Sequence, residues 1–221
     1  MALTSADPLP SWREGPAKAA FLAFVARVCA EGSADWVPEA ERIAVVDNDG
    51  TLWPEHPLPF QAAFAFDELQ RRIVSQPSLA EEPMVRAALA GDLATLLAGD
   101  HFEGLLRIVA LTHAGMTVDD FQRAVAAWMA SARHPRFGRP YDALPYRPMQ
   151  ELLRHLRAHG FKTFIVSGGG ADFMRVWVER VYGVPPERVV GSTARTTFTL
   201  GESGPQLTKT LDMLFVNDPG G

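Results

Sequence analysis

Apolar positions fall along this chain in two rhythms, short continuous runs and helical stripes, and they alternate. Between residues 17 and 30, Phe21, Leu22, Val25 and Val28 recur close to the helical period and predict an N-terminal helix that ends before Pro38. Ile43-Ala44-Val45-Val46 is a continuous apolar run with three β-branched members, closed by the turn chemistry of Asp47-Asn48-Asp49-Gly50. That pattern predicts a buried strand delivering polar groups at its C-terminal end. From Phe60 to about Arg133 the spacing is helical almost throughout, with breaks expected at Gly91, Gly99, Gly104 and Gly115. Phe121, Val125 and Trp128 share one face of the last of these helices.

Residues 134–146 hold three prolines and several basic side chains, and read as a linker leaving a helical insert. Met149, Leu152, Leu153 and Leu156 restore the helical stripe, Gly160 stops it, and Thr163-Phe164-Ile165-Val166 makes a second apolar strand ending in Ser167-Gly168-Gly169-Gly170. Phe173, Val176, Trp177 and Val181 predict a further helix, and Arg188-Val189-Val190 a third strand. Strands alternating with helices predict an α/β fold with a parallel sheet. Residues 196–200 and 206–211, around a turn at 201–205, read as a β-hairpin. The division expected is an α/β core from residues 1–57 and 141–221, with helices inserted at 58–140.

Composition narrows the partners. With 221 residues and 47% hydrophobic content the chain can bury a sizeable core. Its net charge of -5 supplies no basic field for phosphate backbones, so nucleic acid is not an expected partner. Cys29 is the single cysteine, which excludes an intrachain disulfide and a thiolate metal cluster and reads as a small buried hydrophobe. Neither a basic-then-apolar leader nor a membrane-length apolar run stands out, and a cytoplasmic protein without membrane partners is expected.

The chemistry concentrates where the first two strands end. Ligands of open α/β sheets bind beyond the carboxyl ends of strands, so Asp47 to Thr51 and Ser167 to Gly170 are expected to converge. Of two carboxylates two positions apart, one can attack phosphorus while the other donates and then takes a proton, roles that suit Asp47 and Asp49. Gly50 permits a sharp turn. Thr51 and Ser167 offer hydroxyls to phosphate oxygens, and the glycines from Gly168 onward leave backbone N–H groups open to an anion. An anionic nucleophile facing phosphate calls for a cation, and oxygen-rich carboxylate sites favour Mg²⁺. Trp53 and Glu55 are candidates to touch substrate, whereas Trp128 and Trp177 read as core. His113, Arg133, His134, Arg136 and Arg139 read as solvated linker or insert positions able to face an anion.

Asp47-Asn48-Asp49-Gly50-Thr51-Leu52 after an apolar strand resembles the first motif of the haloacid dehalogenase-like superfamily, and Ser167-Gly168-Gly169 resembles its second. The helical stretch between them resembles the cap of the phosphoserine phosphatase-like branch. That resemblance implies a Rossmann-like parallel sheet with a helical cap, and an aspartyl-phosphate on Asp47. It also implies general acid–base chemistry and a metal-binding carbonyl at Asp49, with phosphate held by Thr51, Ser167 and Gly168 and Mg²⁺ held by Asp47 and Asp49. A small phosphomonoester would be the substrate. The paired aspartates favour phosphate transfer over dehalogenation, and Glu55, eight rather than nine residues after Asp47, leaves phosphoserine itself unassigned.

The superfamily's Lys and its final acidic pair have no counterpart in register. Lys209 falls within the expected hairpin and Asp218 in a turn-like tail. The C-terminal part of the core is therefore expected to be missing, leaving the first strand an open edge suited to self-association. A phosphomutase, and a phosphate-binding module with impaired catalysis, are the alternatives this leaves.

Overall fold

Four strands form one sheet in the order β1-β2-β3-β4, in a computed structural model that describes residues 7–99, 102–201 and 204–217. β1 (Ile43–Val46) runs parallel to β2 (Lys162–Gly170), with Val46 opposite Ile165, and β2 runs parallel to β3 (Val189–Gly201). β4 (Gly204–Phe215) returns antiparallel to β3. The helices are α1 (Pro16–Cys29), α2 (Phe60–Ser75), α3 (Pro83–Leu89), α4 (Leu93–Leu96), α5 (Glu103–His113), α6 (Val118–Ser131), α7 (Arg147–Ala158), α8 (Ala171–Met174) and α9 (Val178–Tyr182). α1 starts at a proline, whose missing N–H costs nothing in a first turn. At α6 the Thr117 hydroxyl accepts from the Asp120 N–H, and Asp119 and Asp120 sit at the positive end of the helix.

Apolar burial divides into three clusters. Val25 and Val28 of α1 meet Leu152 and Leu156 of α7 and Phe161. The largest cluster ties Ile165 of β2 and Val189 of β3 to Trp177, to Phe60 and Phe64 of α2, and to Phe121 and Trp128 of α6. Trp53 stacks on Trp177 at 4.0 Å between ring centroids and packs on Phe60 at 4.1 Å. Such ring pairs contribute roughly 0.5–1.5 kcal/mol each beyond the area they bury. The third cluster joins Ala65 and Leu69 of α2 to Val85, Leu96 and Ile108 of α3, α4 and α5.

Several expectations change. β1 is not buried on both faces: Ile43 and Val45 are 57% and 58% exposed, because β1 stands at the sheet edge. Gly104 lies inside α5 rather than between helices, and a Cβ there would sit 2.8 Å from the Leu96 Cα, so glycine permits the close approach of α4 and α5. The single helix expected after Gly170 is two short ones, α8 and α9. The third strand and the first arm of the hairpin are one continuous β3, whose outer half outruns the parallel sheet and pairs with β4 alone. His134 is no solvated linker residue; it is 1% exposed, with Nε2 3.1 Å from the His56 carbonyl and its ring near Phe60, Phe137 and Tyr141. Trp128 and Trp177 are core, as expected. Cys29 is half-buried, its Sγ 3.7 Å from the His159 carbonyl. Among the described residues no helix is long and apolar enough to cross a membrane.

Candidate active site

A cavity of about 630 Å³ opens where β1 and β2 end and continues under α5 and α6. One end is acidic, lined by Asp47, Asp49 and Glu55. The turn that presents them is local in origin. The Asn48 carbonyl accepts from the N–H groups of Thr51 and Leu52 at 3.2 and 2.8 Å, and Gly50 takes φ +73°, where a side chain would be strained and would run into the Glu55 carboxylate. Trp53, four residues after Asp49, donates its indole N–H to Asp49 Oδ1 at 2.7 Å. Burial raises the Asp49 carboxyl to about 6; the negative charges of Asp47 and Glu55 add to the rise, and the Trp53 bond opposes it.

The second segment arrives from β2. The position that a Cβ on Gly169 would occupy lies 3.6 Å from Ser167 Oγ, 3.7 Å from Asp49 Oδ2 and 3.7 Å from Gln61 Oε1. Two loops 120 residues apart in sequence thus meet around one small space. Several contacts hold the glycine loop there: Gly170 N–H donates to Gln61 Oε1 at 2.6 Å, Ser192 Oγ donates to the Gly168 carbonyl at 2.8 Å, and Asn217 Nδ2 donates to the Ser167 carbonyl at 2.9 Å. Gly191 lets β3 press close, since a Cβ there would sit 2.4 Å from the Gly169 carbonyl oxygen.

The opposite wall carries different chemistry. Lys209 of β4, 4% exposed, is ion-paired with Asp172, and its ammonium lies 4.8 Å from the centre of the Phe121 ring. His113 of α5 is 5% exposed and its Nε2 has no partner among the described residues. Burial, with the charges of Lys209 and Arg72 added, holds that imidazole down to about 3, so it is neutral at ordinary pH.

The family model for haloacid dehalogenase-like hydrolases matches residues 44–208. The chain belongs to this family. Among solved structures, a phosphoserine phosphohydrolase-like protein from Francisella tularensis subsp. tularensis SCHU S4 is 14% identical, with a TM-score of 0.39, over 80% of this chain. This chain covers 65% of the length of that structure. A conserved functionally unknown protein from Anaerococcus prevotii DSM 20548 is also 14% identical, with a TM-score of 0.50, over 88% of this chain and 71% of its own. No curated protein matched. Fold and family agree: the haloacid dehalogenase-like hydrolase match spans the Rossmann-like α/β sheet and the helices inserted between β1 and β2.

Of the residues singled out from sequence, Asp47, Asp49, Ser167 and Gly168 line the cavity together, as do Glu55 and His113. Thr51 is not among the lining residues, and Trp53 is fully buried beneath them. Lys209, set aside as a hairpin residue, faces the cavity, and Asp172, Gln61 and Asn217 join it there. Asp218 lies outside the described residues. Among those described, no three His, Cys, Asp or Glu side chains stand close enough to hold a metal ion by themselves.

Proposed function

We propose that this hydrolase is a Mg²⁺-dependent phosphatase acting on a small phosphomonoester through an aspartyl-phosphate on Asp47. The observation that carries the reading is the convergence of Asp49 Oδ2 and Ser167 Oγ on one space at the end of the cavity that Asp47 also lines. The Asp47 carboxylate attacks phosphorus as the ester oxygen leaves, and Asp49, its carboxyl raised to about 6 by burial, supplies the proton that oxygen needs. Water then attacks the aspartyl-phosphate, Asp49 takes the water proton, and inorganic phosphate and free Asp47 result. Ser167 Oγ and the Gly168 N–H hold the phosphoryl oxygens in both steps, while the Gly169 and Gly170 N–H groups brace the loop against Ser167 Oγ and Gln61 Oε1. The helices of residues 58–140 act as the cap and exclude bulk water.

The donor set fits magnesium, which binds through one or two carboxylates and keeps water and substrate phosphate as its other ligands. Asp47, through its carboxylate, and Asp49, through its backbone carbonyl, would hold it. Bound there, the ion would offset the repulsion between the phosphate and Asp47. A second reading, a phosphate-binding module without turnover, is favoured by the lack of a third acidic ligand among the described residues.

Phosphate release from a panel of small monoesters separates the two. Turnover is expected with Mg²⁺ and not after chelation, and Asp47→Asn should lower kcat by on the order of a thousandfold or more. Asp47→Asn with undiminished turnover would remove the nucleophile from the scheme. Phosphate binding without turnover in the unaltered protein would favour the binding module, and transfer to an added sugar hydroxyl would point to a mutase.

A further inference from the structure

Nothing in the phosphoryl-transfer scheme uses the wall built by β4, α5 and α6. Lys209 is the one cationic side chain among the described residues lining the cavity, and it is buried against Asp172 and Phe121. Beside it His113 offers a neutral ring whose buried Nε2 lacks a partner. Leu105, Leu106 and Val109 of α5 line the same cavity and offer a ligand no polar side-chain group.

Asp172 and Lys209 are not equally dependent on each other, and the asymmetry selects the sign of a ligand. Asp172 has a second cation, Arg175, whose Nη1 is 3.4 Å from Oδ1. Lys209 has Asp172 as its only ion-pair partner among the described residues. A cationic ligand that took Asp172 would strand a buried ammonium between an aromatic face and a neutral imidazole, a costly arrangement. An anionic ligand that took Lys209 would leave Asp172 still paired with Arg175. The exchange therefore favours an anion, and His113, in the tautomer that carries its proton on Nε2, can donate a second bond to it.

We propose that Lys209 and His113 read a carboxylate at the far end of the alcohol portion of the phosphate ester, separated from the phosphate by a short apolar spacer. Lys209 is in this sense a specificity residue; it touches the substrate but not the reacting atoms. The inference rests on the phosphatase reading for the phosphate end and on the Lys209–Asp172–Arg175 geometry for the other.

The test compares the monophosphates of butanol, 4-hydroxybutyrate and 4-aminobutanol, whose leaving alcohols are alike in reactivity. The hydroxybutyrate ester should show about tenfold higher kcat/KM than the butyl ester, mainly through KM, and the aminobutyl ester should fall below both. Lys209→Met should bring the hydroxybutyrate and butyl esters to within about twofold of each other, whereas Asp172→Asn, which removes the competing anion, should lower KM for the hydroxybutyrate ester severalfold. A merely structural ion pair would make both variants raise KM for all three esters alike, and that result, or equal kcat/KM values in the unaltered protein, would overturn the assignment. Calorimetric titration with 4-hydroxybutyrate alone gives a readout without turnover: binding in the unaltered protein, loss in Lys209→Met, tightening in Asp172→Asn. If that pattern appears while no ester is cleaved, the phosphatase reading fails and the carboxylate site stands. Cleavage without preference fails the carboxylate site alone; absence of both cleavage and binding fails both.

Discussion

β1 and β4 stand on opposite edges of the sheet, and each brings charge to the same cavity by a different route. β1 is four residues long, and its acidic groups follow it immediately, placed by a turn whose contacts lie within about eight residues of one another. β4 is twelve residues long and carries Lys209 in its middle. Lys209 stands opposite Thr196 of β3, while its own N–H and carbonyl pair with the Met116 carbonyl and the Gly115 N–H, each at 2.9 Å, between α5 and α6. The acidic end is thus set locally, and the cationic wall by a register among three distant segments. A local motif survives changes elsewhere in the chain; a register does not, since a slip of one residue turns a strand's side chains to the other face.

The largest effect is expected where the two routes share a support. Gly191 of β3 packs directly on the glycine loop after β2, and a Cβ there would meet two backbone atoms, the Gly169 oxygen at 2.4 Å and the Ala171 nitrogen at 3.0 Å. Backbone cannot swing aside as a side chain can, so Gly191→Ala should cost about 1–3 kcal/mol, lowering Tm by several degrees. A displacement near 1 Å of the loop should also lower kcat/KM by on the order of a hundredfold. Thermal melts and kinetics on one preparation decide it: a folded variant with unaltered kcat/KM would mean the loop holds its place without β3.

This difference in origin also governs what was legible. The strand before Asp47, the convergence of Asp47 and Asp49 with Ser167, and the helices between the strands follow from short-range pattern and from the rule that ligands sit beyond strand ends. Lys209 carries no such signal. In an alternating hairpin its direction depends on where β3 ends and β4 begins, and the irregularities at Thr193–Thr196 alter that count. Asp172 and Gln61 carry no such signal either. Their importance comes from partners 37 and 109 residues away. Gly104 misled because glycine serves both to break helices and to let them touch, and only the neighbour, Leu96, distinguishes the two.

The acidic end alone should respond to Trp53→Phe. The lost indole N–H is the one contact that pulls the Asp49 carboxyl down against burial and the charges of Asp47 and Glu55. Its removal lets that carboxyl rise further above about 6, so Asp49 stays protonated to higher pH. Because a proton must reach the leaving oxygen, the alkaline limb of the kcat–pH profile should move upward by on the order of one unit. The preference for a carboxylate-bearing ester should stay as it was. An unmoved limb would remove Asp49 from the role of acid.

The other wall responds in stability rather than in turnover. His113, held down to about 3 by burial and by Lys209 and Arg72, does not take up in the folded state the proton that the unfolded chain takes near 6.5. Stability from this source is therefore fully present above about pH 6.5 and is lost as pH falls from there through about 3, at roughly one kcal/mol per pH unit. His113→Phe, in a setting already shared with Phe64 and Phe121, should flatten that part of the pH dependence in urea unfolding at pH 7 and pH 5. An unchanged slope would mean that other groups account for it. Since the Lys209 charge is part of what keeps the ring neutral, a carboxylate bound to that ammonium should weaken the effect. In the presence of 4-hydroxybutyrate the acid-side loss of stability in the unaltered protein would then level off at higher pH and be smaller in total, and in Lys209→Met the addition should change nothing.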